Sequence, residues 1–377
     1  MVGLIRIRRS DIEIGRPIRH SVYDEHGRLL LRAGMSITIP RYLDALLAQG
    51  AYFDRAEVEL GRLAAPNAAD EPSVFERVEK LLLNLKHVYA TFFREPARID
   101  LQKHIRQMAG QLMAACGEDG DAALAALHLD QAAPYRIHHQ LLCATVVELT
   151  AQTLGVPEAD RLALVCAALT HDLALSEADD ALEKARPPLS FEQRARVREH
   201  PLRSVAILAG DCGVTDAAWL DAVAQHHERM DGSGYPLGAR GDGIGLGGRL
   251  LAIADVYAAM IRSRPYRGNA FFPQNVLRDL FAGQHKYVPE LVQALAGSIG
   301  LMPPGSIVRL QNNEIGVVRT RGGAAGPRVF AVYTPAGMPL LKPLERDIRS
   351  PAFAVAGKAS LDECRAAEIV MRRLWTA

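Results

Sequence analysis

Residues 226–236 read HHERMDGSGYP, two adjacent histidines and a glutamate followed by a turn with two glycines and a closing proline. The histidines end a helical pattern of polar and apolar residues, and further glycines crowd the segment up to residue 248. Glycine is needed where a backbone has a positive φ or approaches another segment closely. We therefore predict a helix that carries two imidazoles to the start of a long, closely packed loop.

Further histidines and aspartates lie on neighbouring helical segments, at positions where burying a polar side chain is energetically unfavourable. The runs 163–170 and 250–256 are apolar, yet the first leads into a His-Asp pair and the second contains an aspartate. Burying such groups without a partner costs on the order of several kcal/mol. The groups in question are His171-Asp172, His200 next to Pro201, His226-His227 and Asp255.

A divalent metal site explains these placements together. Imidazoles and carboxylates are good ligands for iron, manganese or zinc, and a carboxylate can bridge two ions. Taken singly, a histidine on an apolar helix is more often a core residue, and Asp255 alone fits an internal ion pair or a helix cap. Few lysines or arginines lie near enough in sequence to neutralise the set. The set as a whole therefore favours metal binding.

The hydrophobic pattern predicts a mainly α protein with small β-rich ends. Apolar residues recur at helical spacing through most of residues 74–300. Segments 135–154 and 160–173 are apolar around most of their circumference, as in helices at the middle of a bundle. Ser190 and Gln193 form a capping box that predicts a helix start, and we expect Pro201 to begin a new helix.

Changes in the hydrophobic pattern divide the chain into four segments. We predict a small β-rich regulatory module at residues 1–60, a linker at 61–73, the helical domain at 74–300, and a β appendage with a terminal helix at 301–377. A helix over residues 40–50 is expected in the first module, because proline starts it and glycine ends it. The predicted strands are 18–23, 28–31, 36–39, 306–310, 315–319 and 328–333.

Composition narrows the classes of protein and partner. The 44 basic and 43 acidic residues give a net charge of +1, so no overall field attracts a nucleic-acid polymer. The five cysteines are odd in number and form no CxxC pair, which favours a reduced, cytoplasmic protein. Since no run of about 18 apolar residues occurs, we expect no membrane span.

The pattern HHExxDGxGYP at residues 226–236, together with His171-Asp172, resembles the HD-GYP family of cyclic di-GMP phosphodiesterases, part of the HD superfamily of metal-dependent phosphohydrolases. The likeness runs from about residue 135 to residue 292, under half of the chain. Within it lie further matching positions: His139, His200-Pro201, Asp255 and the stretch Arg264-Pro265-Tyr266-Arg267.

The resemblance implies a centre of two divalent metal ions, iron or manganese, bridged by Asp172 and a hydroxide. Such a centre would hydrolyse cyclic di-GMP to linear pGpG, with further cleavage to GMP left open. His171 and Asp172 would be catalytic residues. The implied metal ligands are His139, His171, Asp172, His200, His226, His227 and Asp255, and the implied substrate-binding residues are Gly234, Tyr235 and Pro236 in the pocket wall with Arg264 and Arg267.

The chain departs from the family pattern at four positions. Tyr135 replaces the glutamate that binds a third metal, so we expect a two-metal site. Leu175 replaces the lysine that follows the His-Asp pair, which puts the rate of hydrolysis in doubt. Ala258 and Ile261 replace an aspartate and a threonine of the pattern.

Two other functions therefore stay open. A weakly active or inactive domain would act as a sensor of cyclic di-GMP or as a protein-interaction module, and another nucleotide would be the substrate of a related hydrolase. Besides the nucleotide, a diguanylate cyclase or another signalling protein is an expected partner. The leucine-rich helix at residues 74–89 fits a core helix better than a dimerisation helix, and a homodimer is the alternative.

Overall fold

The computed structural model describes residues 4–54, 72–177, 190–262, 272–322 and 326–376, apart from residues 15, 17, 19, 32, 34, 36, 38, 39 and 284. Two compact units divide the chain, Met1–Glu71 and Pro72–Ala377. Each unit contains an antiparallel sheet, and helices dominate the second. The predicted mainly α fold with small β-rich parts is thereby confirmed.

The first unit consists, in its described part, of one helix and a four-stranded sheet. The helix α1 is Pro40–Ala48, and strands β1 to β4 pair in the order β1-β4-β2-β3. Apolar side chains of the helix and the sheet, including Val22, Leu43 and Phe53, are buried in one cluster. The strands are Leu4–Arg6, Val22–Tyr23, Leu29–Leu31 and Tyr52–Asp54.

The sequence predicted α1, β2 and β3 but missed β1 and β4. Each missed strand has three residues, too few for an alternating pattern to stand out. The predicted strand 36–39 and the predicted linker 61–73 lie almost entirely outside the described residues. The domain limits stay predictions.

Eleven helices are described in the second unit. The Ser73 hydroxyl accepts the N–H of Glu76 at the start of the first, and Ser190 and Gln193 form the predicted capping box. Helix α4 packs against α3, α5, α9 and α11, so it lies at the middle of the bundle as its apolar circumference predicted. Helices α2 to α12 are Val74–Arg94, Leu101–Leu129, Tyr135–Thr153, Glu158–Thr170, Leu173–Glu177, Phe191–Ala206, Ala217–Gln225, Leu246–Ile261, Pro273–Ala282, Pro289–Ile299 and Glu368–Thr376.

The prediction that Pro201 begins a new helix is wrong. Helix α7 continues through Pro201 to Ala206, and a short π-helical turn, Ile207–Asp211, follows it. A proline inside a helix leaves the carbonyl four residues earlier without its donor. Here that carbonyl belongs to Val197, and it accepts a hydrogen bond from Nδ1 of His200 at 2.6 Å. The imidazole therefore replaces the missing backbone N–H.

A five-stranded antiparallel sheet follows the helices within the same compact unit. Its strands pair in the order β8-β7-β6-β5-β9. Strands β5, β6 and β7 were predicted, whereas β8 and β9 were missed because most of their side chains are exposed and show no apolar alternation. Strands β5 to β9 are Ile307–Leu310, Ile315–Thr320, Arg328–Tyr333, Pro339–Arg346 and Val355–Lys358.

The terminal helix joins the sheet region to the bundle. The predicted helix at 360–374 begins as a 3-10 helix, Leu361–Ala367, and becomes α-helical only in α12. Trp375 of α12 stacks on Phe75 of α2, with ring centroids 5.8 Å apart. None of the helices in the described ranges has both the length and the apolar character required to cross a membrane.

Candidate metal centre

Five helical elements carry the seven residues expected to be metal ligands. His139 lies in the second turn of α4, and the His171-Asp172 pair forms the turn between α5 and α6. The remaining four are His200 within α7, His226 and His227 directly after α8, and Asp255 within α9. Residues far apart in sequence thus meet because the bundle brings one end or one turn of each helix to the same place.

The seven side chains converge around the two aspartates. Asp255 has one carboxylate oxygen 3.0 Å from Nε2 of His139 and the other 3.5 Å from Nδ1 of His227. Asp172 has one oxygen 3.1 Å from Nε2 of His200 and the other 3.9 Å from Nε2 of His171. Each aspartate therefore faces two histidines from different helices, and Asp172 lies between two groups of imidazoles.

Three of the histidines are oriented by the same hydrogen bond to their own helix. Nδ1 of His171, His200 and His226 donates to the carbonyl oxygen three residues earlier, at 2.8, 2.6 and 2.7 Å respectively. With the proton held on Nδ1, the Nε2 lone pair of each ring is free to bind a cation. The Nε2 atoms of His200 and His226 lie only 3.0 Å apart, facing each other with two such lone pairs.

Two buried imidazole nitrogens of this centre, Nδ1 of His139 and Nε2 of His171, lack any hydrogen-bond partner among the described residues. Nε2 of His171 is unpaired, although the residue is completely buried. An unpaired acceptor in a protein interior costs roughly 1–3 kcal/mol unless a cation or water engages it. The facing Nε2 atoms of His200 and His226 and the unpaired Nε2 of His171 fit divalent metal binding, because cations would engage these lone pairs.

The charge states of four of the groups also suit a cation. Burial lowers the pKa of His171 and His226, and it lowers the pKa of His227 to about 4, so these rings are neutral at neutral pH. Burial alone would raise the pKa of Asp255, but the hydrogen bond with His139 and the attraction of His227 outweigh it and lower that pKa. Neutral imidazoles beside an ionised carboxylate are the forms that bind metal ions.

Cys143 is a member of the cluster that the sequence reasoning missed. Its Sγ lies 3.7 Å from Nε2 of His139, one helical turn earlier on α4. Three overlapping sets have donor atoms within 4.8 Å of one another: His139, Cys143, His171 and Asp255; His200, His226 and His227; and His171, Asp172 and His226. The spacing of four residues from His139 was the available signal, since such residues share a helix face.

The loop after the two histidines folds back onto them. Gly232 has a φ of +80°, and a Cβ on Gly234 would lie 2.5 Å from the backbone nitrogen of Arg229, so both glycines are required as the sequence indicated. The Tyr235 ring lies 4.5 Å from that of His227, between centroids, and the Arg198 guanidinium lies over the Tyr235 ring, 5.3 Å from its centroid. Pro236 follows through a cis peptide bond.

Glu228 holds this loop in place. The glutamate is buried, and one carboxylate oxygen accepts the N–H of Leu237 at 2.7 Å. The backbone N–H of Tyr235 donates to the carbonyl of His227 at 3.2 Å. The loop residues Gly234 and Tyr235 thus lie directly beside the imidazoles. Arg264 and Arg267 lie outside the described residues.

Two of the departures from the family pattern lie next to the cluster. The Tyr135 ring stacks on that of His139 with centroids 5.5 Å apart, in the place expected for a further carboxylate. Leu175 lies in the short helix α6 immediately after Asp172 and is half-buried. The other two departures lie on α9: Ala258 is buried, and Ile261 is the last residue of that helix.

Comparison with known proteins finds similarity to HD-domain proteins. Residues 123–286 match the model of the HD domain family. The motif at residues 226–236 and the His-Asp turn lie inside this matched segment, so the match covers the residues that resemble the HD-GYP pattern. A solved HDGYP-type protein from Bdellovibrio bacteriovorus has the same fold, with a TM-score of 0.52 at 18% identity, over 78% of this chain and 98% of that chain.

Two curated relatives bear names that state an activity. This chain is 28% identical over 234 residues to a cyclic di-GMP phosphodiesterase of Pseudomonas aeruginosa, covering 61% of this chain and 56% of the relative. It is 31% identical to a 3'3'-cGAMP-specific phosphodiesterase of Vibrio cholerae, covering 46% of this chain and 38% of the relative. The chain thus spans about half or less of the length of these proteins.

Proposed function

We propose that this chain is a metal-dependent phosphodiesterase that hydrolyses cyclic di-GMP to linear pGpG. The observation that carries the proposal is the convergence of seven histidine and aspartate side chains with an orphaned imidazole nitrogen among them. A pair of bound divalent cations would lower the pKa of a water and neutralise charge on the phosphodiester. Iron or manganese is the proposed metal, with His139, His171, Asp172, His200, His226, His227 and Asp255 as ligands.

Besides binding the ions, the protein side chains would orient the ligands, bridge the two ions and leave one side of the centre open. Hydrogen bonds from Nδ1 fix three imidazoles so that their Nε2 atoms face inward. The ligands therefore do not have to reorient when negative charge develops on the phosphodiester during hydrolysis. Asp172, whose two oxygens face different histidines, is the proposed bridge between the ions. Its side chain is 14% exposed and that of His227 16% exposed, so solvent and substrate reach the centre on this side.

The loop beside this opening is the proposed substrate wall. The flat face of Tyr235 next to His227 offers a surface for a base or a ribose, and Arg198 over the same ring brings a positive charge near it. Gly234 and Pro236 complete the wall. Arg264 and Arg267, as implied by the family pattern, are the proposed phosphate or guanine contacts.

The test is an assay of products with protein of known metal content. Anaerobically loaded wild-type protein should convert cyclic di-GMP to pGpG, whereas Asp172→Asn and His171→Ala should not. His104→Ala, at a histidine on α3 outside the cluster, should retain activity. Absence of any product from fully loaded wild-type protein would contradict the proposal.

A different cyclic dinucleotide is the second candidate substrate. The relatives of Vibrio cholerae named as 3'3'-cGAMP-specific phosphodiesterases favour it. Competition between the two nucleotides at equal concentration decides between them: the substrate with the higher kcat/KM is consumed first.

Nucleotide binding without turnover is the third candidate, and Leu175 favours it because the expected lysine is missing. In that case the loaded protein would bind cyclic di-GMP in equilibrium dialysis and release it intact after long incubation. Stoichiometric cleavage would exclude this role.

A further inference from the structure

Cys143 is a completely buried thiol that points into the proposed metal centre. It follows His139 by one turn of α4, and its Sγ lies 3.7 Å from Nε2 of that histidine. Its sulfur, a nitrogen of His139, a nitrogen of His171 and an oxygen of Asp255 all lie within 4.8 Å of one another. The four donors come from three separate helical elements, so their meeting is a product of the fold.

Hydrogen bonds leave this group of donors incompletely paired. Nε2 of His139 is approached both by the thiol and by the Asp255 carboxylate, the latter at 3.0 Å. When Nε2 donates its proton to the carboxylate, the sulfur at 3.7 Å can accept only a weak share of the same proton. Nε2 of His171, in the same group, has no hydrogen-bond partner among the described residues. A cation between the four atoms would bind all of them.

The separation of sulfur and nitrogen matches a shared metal ion. Metal–sulfur bonds of about 2.3 Å and metal–nitrogen bonds of about 2.0 Å at a tetrahedral angle place the two donor atoms about 3.5 Å apart. The observed distance is 3.7 Å. The second group of donors, which consists of His200, His226 and His227, contains no sulfur.

We propose that Cys143 is a ligand of one of the two metal ions, together with His139, His171 and Asp255. This inference rests on the proposed metal centre and specifies its metal preference. The thiol proton passes to solvent as the sulfur–metal bond forms, since a coordinating thiol is deprotonated. Thiolate is a soft ligand, so this position favours zinc or ferrous iron over manganese, whereas the nitrogen-rich position lacks that preference.

Cobalt substitution tests the sulfur ligand directly. Full-length protein loaded with Co²⁺ should show a near-ultraviolet thiolate-to-cobalt charge-transfer band, and Cys143→Ser should lose it. Cys166→Ser is the matched control, because Cys166 is also completely buried but lies on α5 outside the three donor sets, and this variant should keep the band. Cobalt-loaded wild-type protein that holds metal but lacks the band would overturn the proposal.

Metal competition provides the second measurement. Cys143→Ser should bind Zn²⁺ more than about tenfold less tightly than wild type, with a smaller change for Mn²⁺. Equal losses for both metals would overturn the preference. If Cys143→Ser does not fold, as judged by circular dichroism, the wild-type cobalt spectrum still decides. Protein that binds no metal at all would instead contradict the proposed function, so the two failures are distinguishable.

Discussion

Nδ1 of His200 donates to the carbonyl oxygen of Val197 at 2.6 Å, a carbonyl that has no backbone donor because residue 201 is a proline. The proline therefore creates the acceptor that fixes the orientation of the imidazole. Nε2 of the same ring is then directed toward Asp172 and His226. A residue that breaks the helical hydrogen-bond pattern here positions a proposed ligand.

Pro201→Ala should weaken metal binding while leaving the fold intact. The new backbone N–H would compete with Nδ1 of His200 for the Val197 carbonyl, and loss of such an orienting partner typically costs about 10-fold to 100-fold in metal affinity. Chelator competition measures the affinity and a thermal melt the stability, which should not fall, since proline disfavours a helix interior. Leu202→Ala, at an exposed neighbour, is the control. Unchanged affinity in Pro201→Ala would show that the proline has no positioning role.

Gly234→Ala should destabilise the loop beside the centre. The added Cβ would lie 2.5 Å from the Arg229 nitrogen and the Glu228 Cα, and 2.6 Å from the His227 carbonyl oxygen, so backbone would have to move. Overpacking of this kind costs about 1–3 kcal/mol. Urea unfolding should report that loss, and Gly243→Ala, where nothing lies within 4 Å, should change little. Equal stability of the two variants would contradict the close approach.

Acidification should destabilise the protein through His128. Its Nδ1 donates to the Pro304 carbonyl at 2.7 Å, and burial lowers its pKa from 6.5 to about 4. Between these values the unfolded chain binds a proton that the folded chain does not, so stability falls as the pH drops from 6.5 to 4, by up to about 3 kcal/mol. Below pH 4 this loss levels off.

The measurement is the free energy of unfolding in urea as a function of pH for wild type and His128→Gln. The variant should show a flatter decline between pH 6.5 and 4, because glutamine does not titrate. His285→Gln, at a histidine whose side chain is 63% exposed, should follow wild type. Parallel curves for wild type and His128→Gln would rule out the effect.

Leu175→Lys should increase the rate of cyclic di-GMP hydrolysis. Leu175 lies three residues after Asp172, and its backbone N–H donates to the Asp172 carbonyl at 3.0 Å. A lysine at this position would therefore bring a positive charge near the proposed centre. A preorganised donor toward developing negative charge is worth about 10² to 10³ in kcat. Leu175→Met, which adds no charge, is the control in the same steady-state assay. No gain over Leu175→Met would show that the lysine is dispensable.

Much of the centre could be predicted from the sequence, because its members stand out as polar groups in apolar helical runs. His171-Asp172 and Asp255 were visible in this way, and the HHExxDGxGYP pattern located His226, His227 and the loop. Cys143 was missed because a cysteine in an apolar helix reads as a small buried hydrophobe. Its position one helical turn after His139, with the sulfur 3.7 Å from Nε2 of that histidine, distinguishes it from Cys166.

The sequence by itself determined which segments are helical, which of them are buried on all sides, and which residue types are available to bind cations. Those properties follow from local periodicity and from the cost of burying polar groups, both of which act over a few residues. Only the tertiary structure decided that Asp172 faces His200, which lies on a different helix. It also decided that Nε2 of His171 has no hydrogen-bond partner among the described residues. Such facts depend on how helices pack against one another, and that packing is set by contacts between residues distant in the chain.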